Sequence, residues 1–244
     1  MIAFKGLNAM AHLTKILKHS LHALFPNFCV TCQTHIKSNY ALCEHCLNDL
    51  RLFDLSKHAN LLHRPDICDA FPDCHFDHLI ACAWYEAPMK QWLKQLKFSD
   101  KQYYKIALQQ VIYLQLQHAQ AVNESWPDEF IIMPLHNKRF IKRGYNQVSQ
   151  TWLPVLKAMN LVVTEPLVKQ KATIAQSSLS KAKRIKNMRN AFMCQANLQG
   201  KSVAIIDDVM TSGATLNAAT DELKKAGAKH VWAMLTCLTP LGEP

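Results

Sequence analysis

An α/β fold, with a mainly parallel sheet flanked by helices and a small cysteine-rich domain before it, is predicted here by three observations. From residue 76 onward, apolar runs of strand length alternate with amphipathic stretches at helical spacing, the pattern of strands joined by crossover helices. The run Val203, Ala204, Ile205 and Ile206 is apolar throughout, as suits a strand covered on both faces. Ahead of these, four cysteines fall in two close pairs within a segment too short to build an apolar core. The 244 residues suffice for one large domain and one small one, and 49% are apolar. No apolar run reaches the about 18 residues that would span a bilayer.

Three regions follow in order: a basic amphipathic segment over 1–28, a cysteine finger with its linker over 29–75, and the α/β domain over 76–244. In the first, Phe4, Leu7, Met10, Leu13, Leu17, Leu21 and Leu24 recur at helical spacing, with Lys15, Lys18, His19 and His22 between them. Such a basic amphipathic helix packs on the protein or a partner, or lies on an anionic membrane. It lacks the continuous apolar stretch and cleavage site of a secretory signal, so a cytoplasmic protein is expected, with the inner membrane face as the alternative site. In the second region Cys29 and Cys32, then Cys43 and Cys46, form two C-x2-C pairs separated by ten residues, the spacing of a tetrahedral Zn²⁺ site. Four thiolates leave no open position, so the metal is structural, and binding of roughly 10–16 kcal/mol would supply the folding energy of the segment. Paired disulfides or free thiols are the alternatives. Cys68, Cys74, His75 and His78 match no common ligand spacing and fall in a stretch with Pro65 and Pro72 that reads as loop. Cys82, Cys194 and Cys237 have apolar neighbours and read as small buried hydrophobes.

The third region predicts strands over 79–85, 130–133, 161–164, 203–206 and 231–237. Helices are expected over 89–97, 103–118 and 146–159, with another resuming at 216–225 and stopped by Gly227. The most informative stretch is 203–215. A buried strand delivers Asp207 and Asp208, and Val209, Met210, Thr211, Ser212, Gly213, Ala214 and Thr215 then supply small hydroxyls and a flexible backbone before the helix. Backbone N–H groups at a helix start, with a dipole of about half a positive charge, favour a phosphate. Adjacent carboxylates are acceptors for a diol or for metal-bound waters. A Walker-B-like metal strand is the competing pattern, but the chain has no G-x-x-x-x-G-K-[ST] run to accompany it. The stretch therefore suits a sugar phosphate.

This stretch closely resembles the phosphoribosyl pyrophosphate (PRPP) loop of type I phosphoribosyltransferases. The resemblance implies that Asp207 and Asp208 bind the ribose hydroxyls, that residues 211–215 wrap the 5-phosphate, and that Mg²⁺ accompanies the ligand. A second match begins at Pro134, Leu135, His136, Lys138 and Arg139 and runs into Arg143, Gly144, Tyr145, Asn146 and Gln147. It continues at Ala175, Gln176, Leu179, Arg184, Asn187, Ala191 and Phe192. With the cysteine pairs, this order resembles the ComF proteins of bacterial DNA uptake and their GntX-type relatives. That family implies a type I phosphoribosyltransferase-like fold and a link to natural transformation, without fixing an activity.

Charge is concentrated: residues 131–201 carry 13 Lys and Arg against the single acid Glu165, within a chain of net charge +10. Such a field suits polyanions. In an enzyme reading, Lys138, Arg139, Arg143, Lys181, Lys183 and Arg184 serve pyrophosphate and a loop closing over the site, stabilising charge as it develops on the leaving group. In a binding reading, Lys142, Arg143, Tyr145, Lys186 and Arg189, helped by Lys94, Lys97 and nearby aromatics such as Trp92, line a groove for single-stranded DNA. The plainer account of Trp92, Leu93 and Leu96 is a helix packing face with lysines on its wet side. In a third reading, finger and N-terminal helix recruit a DNA-uptake helicase or membrane channel. No residue stands out as a general base.

Overall fold

The computed structural model describes residues 27–36, 40–98, 103–135, 144–170 and 191–241. The helix expected before residue 27 lies outside them. The chain divides into two units, Met1–Asp49 and Leu50–Pro244.

In the first unit, β1 (Asn27–Phe28) pairs antiparallel with β2 (His35–Ile36). The turn between them carries Cys29 and Cys32 and is closed by Cys29 N–H donating to Thr34 O at 2.9 Å and Gln33 N–H to Cys29 O at 3.0 Å. The other pair opens the short helix α1 (Glu44–Asn48), where Cys43 is the N-cap and its Sγ accepts from Cys46 N–H at 3.4 Å.

The second unit begins well before residue 76, which moves the expected domain boundary to 49/50. Residues 50–75 are woven into the large domain by core side chains and satisfied backbone groups. Phe53, Leu55, Leu61 and Ile67 are buried, and Phe53 N–H donates to Cys82 O at 3.1 Å. Buried Asn60 accepts from Leu62 N–H and Leu79 N–H, both at 3.0 Å, and donates to Asp77 O. The stretch around Pro65 is a helix, α2 (Pro65–Ala70), because proline at the first helical position has the right φ and no N–H to lose.

The core is a five-stranded parallel sheet of β3 (His78–Trp84), β4 (Glu129–Ile132), β5 (Val163–Thr164), β8 (Ser202–Met210) and β9 (His230–Leu238), in the order β3-β9-β8-β4-β5. Helices α3 (Met89–Phe98), α4 (Tyr103–Val122), α5 (Gln147–Ala158) and α6 (Ala214–Lys225) flank it, so the predicted parallel sheet with crossover helices is what forms. Val203 to Ile206 are all fully buried, as a run without polar breaks requires. Trp152 of α5 is anchored in this core by its Nε1–H, which donates to buried Thr236 Oγ1 at 2.9 Å. A two-stranded hairpin that the sequence did not reveal, β6 (Leu167–Lys169) with β7 (Phe192–Cys194), brings residues 170 and 191 together. On that hairpin Cys194 is half-exposed, unlike Cys82 and Cys237, which are buried as expected.

Candidate functional site

The acidic pair lies near the C-terminal edge of the sheet. From β4 the chain proceeds outward to β5, whereas β8 leads to β9 on its other side. Connections therefore diverge at the β4/β8 boundary, and the crevice outside such a reversal is where open α/β sheets take ligands.

Strand β8 continues past the two acids, with Val209 opposite Cys237 and Met210 opposite Leu238. Thr239 fastens its end, donating to Met210 O from N–H at 3.1 Å and from Oγ1 at 2.9 Å. Asp207 and Asp208 thus sit inside the strand, and Val209 and Met210, expected in the ligand loop, belong to the ladder. Consecutive strand residues face opposite sides of a sheet, so the two carboxyls have different surroundings.

Asp208 is 9% exposed and fully engaged. Its Oδ2 receives Lys97 Nζ at 2.6 Å and the Gln147 side-chain amide, while Oδ1 accepts from Val209 N–H at 2.8 Å. Burial alone would raise this carboxyl, but the Lys97 ammonium and these donors outweigh it and hold it below the ordinary range. Asp207 is half-buried, and its Oδ1 accepts from Asp208 N–H at 2.8 Å. Burial first, then the charge of Asp208, push it up to about 7, only partly offset by the Asp208 N–H and then by Lys97 and Lys169.

The Tyr145, Asn146, Gln147 run explains itself at this point. Tyr145 OH donates to Leu96 O at the end of α3. Asn146 caps α5, accepting from Val148 N–H at 3.0 Å and donating to Met133 O just beyond β4 at 3.1 Å. Gln147 reaches Asp208. Three adjacent residues therefore lock α3, β4 and α5 around one carboxylate, entered through Gly144 at φ +77°.

Beyond β8, Thr211, Ser212 and Gly213 form the turn, and Ala214 and Thr215 open α6. Gly213 sits at φ +71° as the helix N-cap, and no side chain caps it. Ser212 Oγ is buried without a hydrogen-bond partner, an uncompensated polar atom beside an open helix start. Both features suit an anion there.

In the first unit, the sulfurs of Cys29, Cys32, Cys43 and Cys46 lie within 4.8 Å of one another, with Cys32 and Cys43 at 3.6 Å. Thiolates about 2.3 Å from a tetrahedral zinc ion stand about 3.8 Å apart, so the four fit a single such ion. Burial would raise Cys29, but the backbone N–H groups of Cys32, Cys43 and Thr31 bring it down to about 6, favouring the ligand form. Elsewhere His75 pairs with Asp221 at 2.6 Å, and His78 bonds Ala59 O and stacks on Trp232.

Of the remaining candidates, Lys138, Arg139, Lys142, Arg143, Lys181, Lys183, Arg184, Lys186 and Arg189 lie outside the described residues. Lys94 is exposed and Tyr145 half-buried. Lys97, expected on a DNA-facing surface, is instead ion-paired to Asp208, and Trp92 is 3% exposed within the core. Gln147 and Lys169 had no assigned role. The first was signalled only by its place in the motif, and the second sits on a three-residue strand that periodicity cannot reveal.

Residues 154–242 match the phosphoribosyl transferase domain family. DNA utilization protein YhgH of Shigella flexneri is 31% identical over 166 residues, covering 67% of this chain and 73% of that protein. Competence protein F of Haemophilus influenzae is 27% identical over 227 residues, covering 88% and 93%. The chain belongs to the ComF family. Competence protein ComFC of Streptococcus pneumoniae, at 31% identity, aligns over a shorter span of 103 residues, 42% of this chain and 44% of that protein. In this ComF-family protein the large domain is a phosphoribosyltransferase-like α/β fold, and the small one carries the four-cysteine cluster. Among the described residues, no helix is long and apolar enough to cross a membrane.

Proposed function

We propose that this ComF-family protein binds PRPP, as its Mg²⁺ complex, at the end of β8, and that it handles single-stranded DNA during natural competence. The observation that carries the first part is the sequence of features along one stretch of chain. A carboxyl pair leads through Gly213 into an uncapped helix beside the unsatisfied Ser212 hydroxyl. Acceptors for ribose hydroxyls and donors for a phosphate thus stand at neighbouring points of one turn. Because Asp208 is committed to Lys97 and Gln147, the pair is poorly suited to hold a bare ion, and Mg²⁺ would arrive on the ligand's pyrophosphate. Zn²⁺ would occupy the Cys29, Cys32, Cys43 and Cys46 cluster as a structural ion. The DNA role is supported by the names of the relatives and by the cation excess of residues 131–201.

Titration with PRPP and Mg²⁺ by calorimetry, followed in the same samples by a pyrophosphate assay with a panel of bases and amines, tests this reading. Binding is expected, and it is expected to vanish in the Asp207→Asn, Asp208→Asn double variant while single-stranded DNA binding survives. Pyrophosphate release dependent on one acceptor would identify a phosphoribosyltransferase instead of a binding protein. No heat with PRPP would refute the assignment of the β8 site.

A further inference from the structure

We propose that Lys97, together with Gln147, is a positioning residue that reserves Asp208 as a fixed acceptor and leaves Asp207 as the carboxyl that meets the sugar; this rests on the sugar-phosphate reading of the site. The two acids are adjacent in sequence but unequal in geometry. Asp208 points into the domain, and both its oxygens are taken, one by Val209 N–H and the other by Lys97 and Gln147. Asp207 is half-buried on the other face of the strand, bonded among the described residues only to the N–H of its neighbour. Lys97 comes from the last turn of α3, where the helix carbonyls also favour a cation. Its side chain is 20% exposed, and Tyr145 ties down the same turn through Leu96 O. This is a built arrangement: side chains of α3 and α5 converge on one carboxylate of β8.

The charges around the pair give the arrangement a consequence for binding. Among the described residues, Lys97 from α3, Lys169 from β6, Tyr85 after β3 and Cys237 from β9 are titratable groups whose fields reach these carboxyls or are reached by them. With Lys97 in place, Asp208 stays ionised and the proton of the pair resides on Asp207 up to about pH 7. Sugar hydroxyls donate to a carboxylate, so PRPP affinity rises as pH passes through that region and Asp207 ionises. Without the cation, the buried Asp208 keeps only neutral donors. The pair then holds its proton to higher pH, and the side chain that shaped the floor of the site is no longer fixed.

The test is PRPP calorimetry with Mg²⁺ on the full chain from about pH 5 to 9, spanning ordinary carboxylate and raised values. Wild type is compared with Lys97→Met and Lys97→Arg. Lys97→Met should bind roughly ten- to hundredfold more weakly near neutral pH, the loss expected when the pair keeps its proton about one to two pH units higher, with the midpoint of its pH profile moved up. Lys97→Arg, which keeps the charge, should return the midpoint towards wild type. An unchanged affinity and midpoint in Lys97→Met would overturn the proposal. Carboxyl NMR without ligand separates the layers. Asp208 should titrate below the ordinary range in wild type and move up in Lys97→Met, and coincident curves would overturn the proposal regardless of PRPP. If that shift is present but wild type fails to bind PRPP, the sugar-phosphate reading falls, and with it the use of Lys97 in ligand binding.

Discussion

At the scale of single residues, the site is held in tension with folding. Asp207 keeps its proton in the fold up to about 7, whereas in the unfolded chain it ionises near the ordinary value of about 4. The folded state therefore binds more protons across that window, and the ligand-free protein loses stability as pH rises through it. Asp207→Asn should raise the stability at pH 8, by on the order of 2 kcal/mol once solvent screening of a half-buried group is allowed for, and with it the melting temperature, while abolishing PRPP binding. Paired thermal scans at pH 5 and pH 8 check the sign: the gain should shrink at the lower pH. Asp208 has the opposite linkage, since its contribution is present above the ordinary carboxylate range and lost as pH falls through its depressed value. Gly213 shows a backbone constraint of the same site. A Cβ there would meet only Met210 Sδ at 3.8 Å, so space is not the obstacle, but φ +71° costs a side chain about 1–2 kcal/mol. Gly213→Ala should lower stability by about that amount in urea titrations and weaken phosphate-ended ligands by displacing the first turn of α6.

At the scale of elements, α5 explains why the site keeps its shape. The helix contains Pro154, which removes the N–H that would have bonded Gln150 O. That carbonyl is satisfied from outside, by Gln109 Nε2 of α4 at 2.9 Å. Gln109→Ala should cost about 1–2 kcal/mol in chemical denaturation, a larger penalty than a surface glutamine normally carries, because it leaves a helix carbonyl unpaired against a neighbouring helix. Asn146→Ala removes both the cap of α5 and its tie to Met133 O, with an expected loss of about 1–2 kcal/mol. It should also weaken PRPP binding, since Gln147 begins the same helix; unaltered binding would separate the cap from the site.

At the scale of the whole molecule, the boundary at 49/50 has consequences that a boundary at 75/76 would not. A chain beginning at Leu50 keeps Phe53, Leu55, Leu61 and Ile67 in the core and should unfold in one cooperative transition and bind PRPP. A chain beginning at residue 76 loses all four. At about 2–5 kcal/mol for each large apolar group removed, the loss is as large as the about 5–15 kcal/mol by which domains are stable, so this chain should fail to fold. Circular dichroism melts of the two truncations decide between the boundaries. With Zn²⁺ at the four cysteines as proposed, strong chelators should melt that unit of the full chain and leave the large domain's transition in place, because so short a segment has little apolar burial to sustain it without an ion.

The sequence by itself determined what is local or periodic. The buried run of β8, the acids that follow it, the glycine start of α6, the alternation of strands and helices, and the two C-x2-C pairs all declare themselves within a few residues. Their meaning depends on chemistry that neighbours in the chain supply. Only the tertiary structure decided how the two acids differ. Lys97, Gln147 and Asp208 are separated by 50 and more residues, and no spacing announces that a lysine on a helix resembling a wet face turns inward to a strand carboxylate. The hairpin of β6 and β7 and the inclusion of residues 50–75 were hidden for the same reason. Both depend on contacts across long stretches of chain, whose stabilisation appears only when the core that unites them has formed.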